Sequence, residues 1–258
     1  MSTIVRTDAV VLRSLDYSET SQIVTLFTRK RGVVSVIAKG ARKIKSRFGA
    51  TLQPTSYIQA VFYYKPTRGL QTLTETSHVE RFPDVHRSLE KLIIGQRIVE
   101  LVDALLQEEE HNPVVFNLTV GVLRTLNEAD ERLGNLLAYF RLQLASALGF
   151  APAVRKADVK ALTDEGGRLN LDTGAIHPPE VQLPQARGAS RVALRAFAVI
   201  ARADLRDVMR MQMAPRTQLA VDGLIEDYLR YHVEEAYPTR SDDVASQLSG
   251  AGLSHPRG

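Results

Sequence analysis

The 258-residue sequence predicts an α+β chain: an N-terminal five-stranded β-barrel, then an α-helical bundle interrupted by a small insert. Three observations lead to this reading. Short runs rich in β-branched and aromatic residues crowd the first 80 residues. Apolar residues at helical spacing dominate after Pro83. Between residues 151 and 189, Pro and Gly break both patterns.

The β runs come in order. Thr3–Leu12 is rich in Val and Ile, Gln22–Thr28 reads QIVTLFT, and residues 33–38 read VVSVIA after the turn at Arg31-Gly32. Residues 57–64 (YIQAVFYY) and 70–79 (LQTLTETSHV) flank the turn Lys65-Pro66-Thr67-Arg68-Gly69. Five such strands in a domain spanning residues 1–80 fit a small closed barrel. An OB-fold and an SH3-like barrel both satisfy the pattern.

The helical part begins with Val85–Glu109, which carries an apolar stripe and ends in Glu108-Glu109-Glu110, read as a solvated helix end. Asn112-Pro113 starts a second helix, with Pro in its first turn, and Arg132–Leu148 makes a third that Gly149 stops. Helical periodicity returns at 191–210 and 217–234, so residues 81–150 and 190–237 form the bundle domain. Residues 151–189 form an irregular or β-hairpin insert with short strands at RLNLD and AIH. The Ser-, Gly- and Asp-rich tail, 238–258, is expected to be disordered.

Composition narrows the function. The chain has no cysteine, hence no disulfide, thiolate metal site or cysteine nucleophile, and its six histidines are not spaced as ligands on one helical face. No P-loop and no G-x-S-x-G elbow occur, so no catalytic residue, metal or cofactor is expected. No apolar run approaches the roughly 18 residues of a membrane span, and the N-terminus lacks a secretory apolar core. The expected location is the cytoplasm.

Charge is unevenly divided. Residues 1–80 hold 12 basic and 5 acidic side chains, and the remainder holds 21 basic and 24 acidic. Between Thr20 and Thr74 there is no Asp or Glu but ten Arg or Lys. Such a division is the footprint of a polyanionic partner. The densest stretch is 29–47, RKRGVVSVIAKGARKIKSR, with eight cations in nineteen residues. Lys39, Arg42, Lys43, Lys45 and Arg47 are the main candidates for tracking phosphates, with Arg29, Lys30 and Arg31 flanking. Phe48 and Tyr64 are candidate base-stacking surfaces; Tyr63 and Tyr64 alternate across a strand, so at least one belongs to the core.

These same residues resemble a known family. D-Y-x-E-x-x-x-I-V-T-L-F-T from Asp16, A-K-G-A-R-x-x-K-S-R-F-G from Ala38, L-Q-P from Leu52 and RLQLASALGFAP from Arg141 are similar to the bacterial RecO recombination mediators. The resemblance implies an OB-fold, a helical bundle and a zinc-ribbon-like module. It implies binding and annealing of single- and double-stranded DNA, and so association with the nucleoid. With the partner RecR, it implies loading of RecA onto DNA coated by single-strand-binding protein. Many relatives hold zinc through four cysteines in the insert. Here that stretch reads VRKADVKALTDEGG and GAIHPPE, so a degenerate, metal-free module is expected. The acidic-hydrophobic tail of a single-strand-binding protein needs an apolar groove edged by cations, for which Arg124, Arg132 and Arg141 are candidates.

Two other classes fit the composition: an RNA-binding barrel and a protein-interaction scaffold with a basic docking face. A nuclease would need a carboxylate cluster beside the basic surface, and the acid-free stretch argues against one.

Overall fold

A computed structural model of the chain describes residues 2–233 and Tyr237. The described residues fall into two compact units that divide after Asn112, with Tyr237 in the first. The tail expected to be disordered, 238–258, lies outside the described residues.

In the first unit, β1 (Thr3–Asp16), β2 (Gln22–Thr28), β3 (Gly32–Ala38), β4 (Tyr57–Tyr64) and β5 (Leu70–Glu80) close into a barrel of order β1-β2-β3-β5-β4. The long β1 makes closure possible. Its first half pairs with β4, from Thr3 opposite Tyr64 to Val10 opposite Tyr57, and its second half pairs with β2. An irregularity between Val11 and Arg13 marks the changeover, as a bulge bends a strand and increases its twist. The last seam joins β3 to β5 in parallel, Ser35–Ile37 against Leu70–Thr72. This five-stranded closure is that of an OB-fold and resolves the choice the strand pattern left open. Val24, Leu26, Val36, Ile58, Phe62 and Leu73 fill the interior.

The first unit runs beyond residue 80. Helix α1 (Pro83–Arg87) and helix α2 (Leu89–Leu105) replace the single helix expected from 85 to 109. Ser88 makes the break: it is extended, and its side chain accepts from the Lys91 N–H to cap α2. Ile98, Val99, Leu101 and Val102 are fully buried, and α2 packs on β1 and β2. That apolar burial packs α1 and α2 into the same compact unit as the barrel.

Glu108-Glu109-Glu110 is not a helix end. The segment lies along β3, where the Glu109 N–H donates to the Val33 carbonyl at 2.9 Å. Gly32 has a positive φ of 62°, and a Cβ there would overlap the Glu110 backbone. The Tyr64 hydroxyl donates to Glu109 Oε1 at 2.7 Å. This bond, then burial, raises the Tyr64 phenol above its ordinary range.

The second unit contains α3 (Pro113–Glu128), α4 (Leu133–Ala147), α5 (Lys156–Ala161), β6 (Gly167–Asn170), β7 (Ile176–His177), β8 (Ala186–Ala189), α6 (Arg191–Arg202), α7 (Leu205–Arg210) and α8 (Pro215–Val233). Helix α4 is central, packing on α3, α6, α7 and α8. Buried Asn135 on α4 donates to the Val208 and Met211 carbonyls at 3.0 and 2.9 Å, satisfying the end of α7. The periodicity at 191–210 divides into α6 and α7 because Asp204 caps α7, its side chain accepting from the Asp207 N–H.

The insert is a three-stranded sheet of order β7-β6-β8, preceded by α5. Leu162, Leu169 and Ile176 are buried in it, and Arg168 Nε donates to the Pro179 carbonyl at 3.1 Å. Its donor set does not fit a zinc ion: the chain has no cysteine, and among the described residues no group of three His, Asp or Glu is placed to hold a metal. Among the described residues no helix is long and apolar enough to cross a membrane.

Candidate nucleic-acid interface

The five main basic candidates sit in the connection from β3 to β4, and this loop is fastened at both ends. At its start Gly40 takes a positive φ of 77°, and the Lys43 N–H returns to its carbonyl at 3.2 Å. The Arg42 N–H then donates to the Thr20 carbonyl at 3.1 Å, in the β1–β2 connection. The Arg42 guanidinium reaches the Ser18 carbonyl at 2.7 Å and Asp16 at 3.2 Å. At its far end Phe48 and Leu52 plug the barrel, with a 3₁₀ turn over Gly49–Leu52.

Between these anchors Lys39, Lys43, Lys45 and Arg47 are exposed. Among the described residues none of the four forms an ion pair; Arg47 lies over the Phe48 ring, 5.0 Å from its centre. Arg42 differs: it brackets the loop and is paired with Asp16. The loop thus presents four uncompensated cations from a pre-set backbone, which lowers the ordering cost of binding.

The flanking cations do not join this patch. In the β2–β3 hairpin Thr28 pairs with Gly32 at one end and Gln22 with Ala38 at the other. Arg29, Lys30 and Arg31 therefore lie at the opposite end of β3 from Lys39, roughly 20 Å away at strand rise. They are also engaged by the barrel. Arg29 pairs with Asp8 at 3.8 Å, Lys30 Nζ donates to the Arg6 carbonyl at 2.9 Å, and Arg31 lies over the Tyr64 ring at 4.6 Å. Tyr64 leads directly into the Lys65–Gly69 turn, which buried Gln71 holds by donating to the Lys65 and Arg68 carbonyls. Lys65 and Arg68 thus extend this second basic end, a grouping that strand register reveals and sequence spacing does not.

Both stacking candidates are corrected. Phe48 is 1% exposed and Tyr64 3%, so neither offers a ring face to a base. Among the described residues of the barrel unit, the exposed aromatics are Tyr63 at 48%, on the outer face of β4, and Tyr17 at 61%. Tyr17 is the better placed, since its neighbour Ser18 accepts from Arg42 and so adjoins the basic loop. Ile44, between Lys43 and Lys45, is also fully exposed.

The second unit corrects the tail-binding candidates. Arg141 is buried, and its charge is felt at Asp222, whose carboxyl desolvation pushes up. Arg132 donates to the Met209 carbonyl at 3.0 Å and pairs with Glu131 at 3.0 Å. Arg124 is exposed on α3. An apolar groove with cationic edges lies elsewhere, between α5 and α6. It holds about 460 Å³, with Val159, Ala198 and Val199 in its wall and Lys156, Lys160 and Arg202 around it. Sequence reading missed it because the six-residue α5 is too short for periodicity to reveal.

Comparisons with known proteins also divide the chain in two, though at the end of the barrel and not after Asn112. Residues 1–82 match the family described as Recombination protein O N terminal, and residues 86–241 match Recombination protein O C terminal. The chain is 54% identical over 248 residues to the DNA repair protein RecO of Salinibacter ruber, covering 96% of this chain and 95% of that protein. It is 30% identical over 259 residues to the DNA repair protein RecO of Chlorobaculum parvum, covering 96% of this chain and all of the other. With both halves matched and the OB barrel in place, the chain belongs to the Recombination protein O (RecO) family.

Proposed function

We propose that the chain acts in DNA repair and homologous recombination as a non-enzymatic mediator. It binds single- and double-stranded DNA through phosphate contacts and anneals complementary strands. With RecR, it helps load RecA onto DNA coated by single-strand-binding protein. The observation that carries this reading is the anchored loop offering Lys39, Lys43, Lys45 and Arg47 without carboxylate partners among the described residues. Each phosphate it neutralises releases counterions, and cations between two strands lower the repulsion that opposes their pairing. Tyr17 and Ile44 offer apolar surface to unpaired bases beside those cations.

The second basic end, Arg29–Arg31 with Lys65 and Arg68, gives a second strand a place to lie on the same barrel. The groove edged by Lys156, Lys160 and Arg202 suits the acidic-hydrophobic tail of single-strand-binding protein. The deciding experiment is annealing of two complementary oligonucleotides, with and without saturating single-strand-binding protein, across a salt series. Salt-sensitive acceleration that survives the coating supports the mediator. Binding without annealing reduces the chain to a generic nucleic-acid-binding barrel, and absence of binding favours a scaffold.

A further inference from the structure

Below the basic loop, at the end of the barrel plugged by Phe48, is a pocket of about 470 Å³ that the phosphate-tracking role does not use. Its wall is shared with the loop through Ser46 and Arg47, and it is closed by the end of β5 and the start of α1. Thr76, His78 and Glu80 alternate along β5, so their side chains share one face of the strand. His78 stands opposite Ile58, a residue of the barrel interior, and its Nδ1 is buried without a hydrogen-bond partner. An unpaired buried ring nitrogen is costly and marks a place where a polar ligand would be welcome. His86 approaches Thr55 Oγ1 at 3.4 Å. Arg47 and Arg81 stand at the rim; Glu80 is the one carboxylate among the lining residues and is already engaged. Phe82 and Pro83 make part of the wall apolar.

A cationic rim, an unsatisfied ring nitrogen and apolar walls, all continuous with the phosphate-tracking loop, describe the needs of one nucleotide. We propose that this pocket seats a single unstacked nucleotide of a DNA strand bound along the 39–47 loop, with its phosphate between Arg47 and Arg81 and its base edge at His78. This rests on the loop being the DNA interface. It adds a base-contacting site at the plugged end of the barrel, where a strand leaving the loop at Arg47 arrives. Occupancy requires an unpaired residue, so the pocket favours single strands over blunt duplex.

The test follows the imidazole resonances of His78 and His86 in the full chain during titration with a single-stranded oligonucleotide, a deoxynucleoside monophosphate and inorganic phosphate. Both nucleotide ligands should shift the His78 ring, and phosphate alone should not. Arg81→Gln, an exposed change, should weaken single-strand binding about tenfold, as for loss of one charge-assisted bond, and weaken blunt duplex binding by much less. A strand that binds with the rings unmoved overturns the pocket while leaving the loop interface intact. Rings that respond equally to inorganic phosphate make it an anion site and overturn the nucleotide assignment. A chain that binds no DNA overturns both readings.

Discussion

Replacing Lys43 and Lys45 together by alanine removes two of the four uncompensated cations of the basic loop. Both side chains are exposed, and neither supplies an anchor, a role held by Arg42 and Phe48. The fold should therefore change by no more than about 0.5 kcal/mol. On single strands each phosphate contact contributes about −0.7 to the slope of log affinity against log salt. Four contacts give roughly −2.8 from this loop, and the double variant should be shallower by about 1.4. Across a fourfold rise in salt, the wild-type chain then loses about sevenfold more affinity than the variant. Fluorescence anisotropy with a labelled oligonucleotide of mixed sequence, titrated at several salt concentrations, reads both quantities. The parallel variant is Arg29→Ala, Lys30→Ala and Arg31→Ala, whose cations already hold barrel partners. It should flatten the slope by less per charge removed. A Lys43→Ala, Lys45→Ala protein with the wild-type slope, or a larger effect from the triple variant, would refute the assignment of the interface to the anchored loop.

Three further outcomes are expected. Tyr17→Ala should weaken single-strand binding by about 1–3 kcal/mol with no change in salt slope, because stacking is lost and no charge is removed; anisotropy at two salt concentrations checks both. Tyr228→Phe should lower urea stability by about 1–2 kcal/mol. Its buried hydroxyl donates to the Phe150 carbonyl at 2.7 Å, and burial pushes the phenol up to about 12. Acid should also weaken the barrel unit through His78. Burial, with Arg81 and His86 adding to it, holds His78 below its ordinary 6.5. Unfolded chains take up this proton near 6.5 while folded ones resist, so the stabilisation is complete above that value and is lost as pH falls towards the lowered folded value. Urea midpoints at pH 7 and 5 should differ less for His78→Asn than for wild type.

Much of the fold could be read from local pattern. The barrel strands are β-branched runs between turn residues, and β2 and β4 lie where those runs lie, at Gln22–Thr28 and Tyr57–Tyr64. The break at Ser88 was harder, because the apolar stripe runs past it and only the cap interrupts the helix. The candidate site was half legible. A loop dense in Lys and Arg announces itself, but its separation from Arg29–Arg31 depends on β2–β3 register, which sequence adjacency conceals. Phe48 and Tyr64 look like interface aromatics because they neighbour cations. They are core because one plugs the barrel end and the other turns inward towards Glu109. Glu109 itself looked like solvated charge, since nothing in an acidic run signals that one member will bond to a tyrosine 45 residues away.

Closure of the barrel has a consequence for self-association. Strand edges invite pairing between chains, and the hazard grows where molecules are crowded along a polymer. Here β1 pairs with β4 along its first half and with β2 along its second, and the Ser35–Ile37 seam to β5 closes the barrel, so each strand shows only part of an edge. In the insert sheet the outer strands are only two and four residues long. Copies lined up on one strand would thus meet mainly through side chains and loops, with only short edge stretches on which a backbone ladder between chains could start.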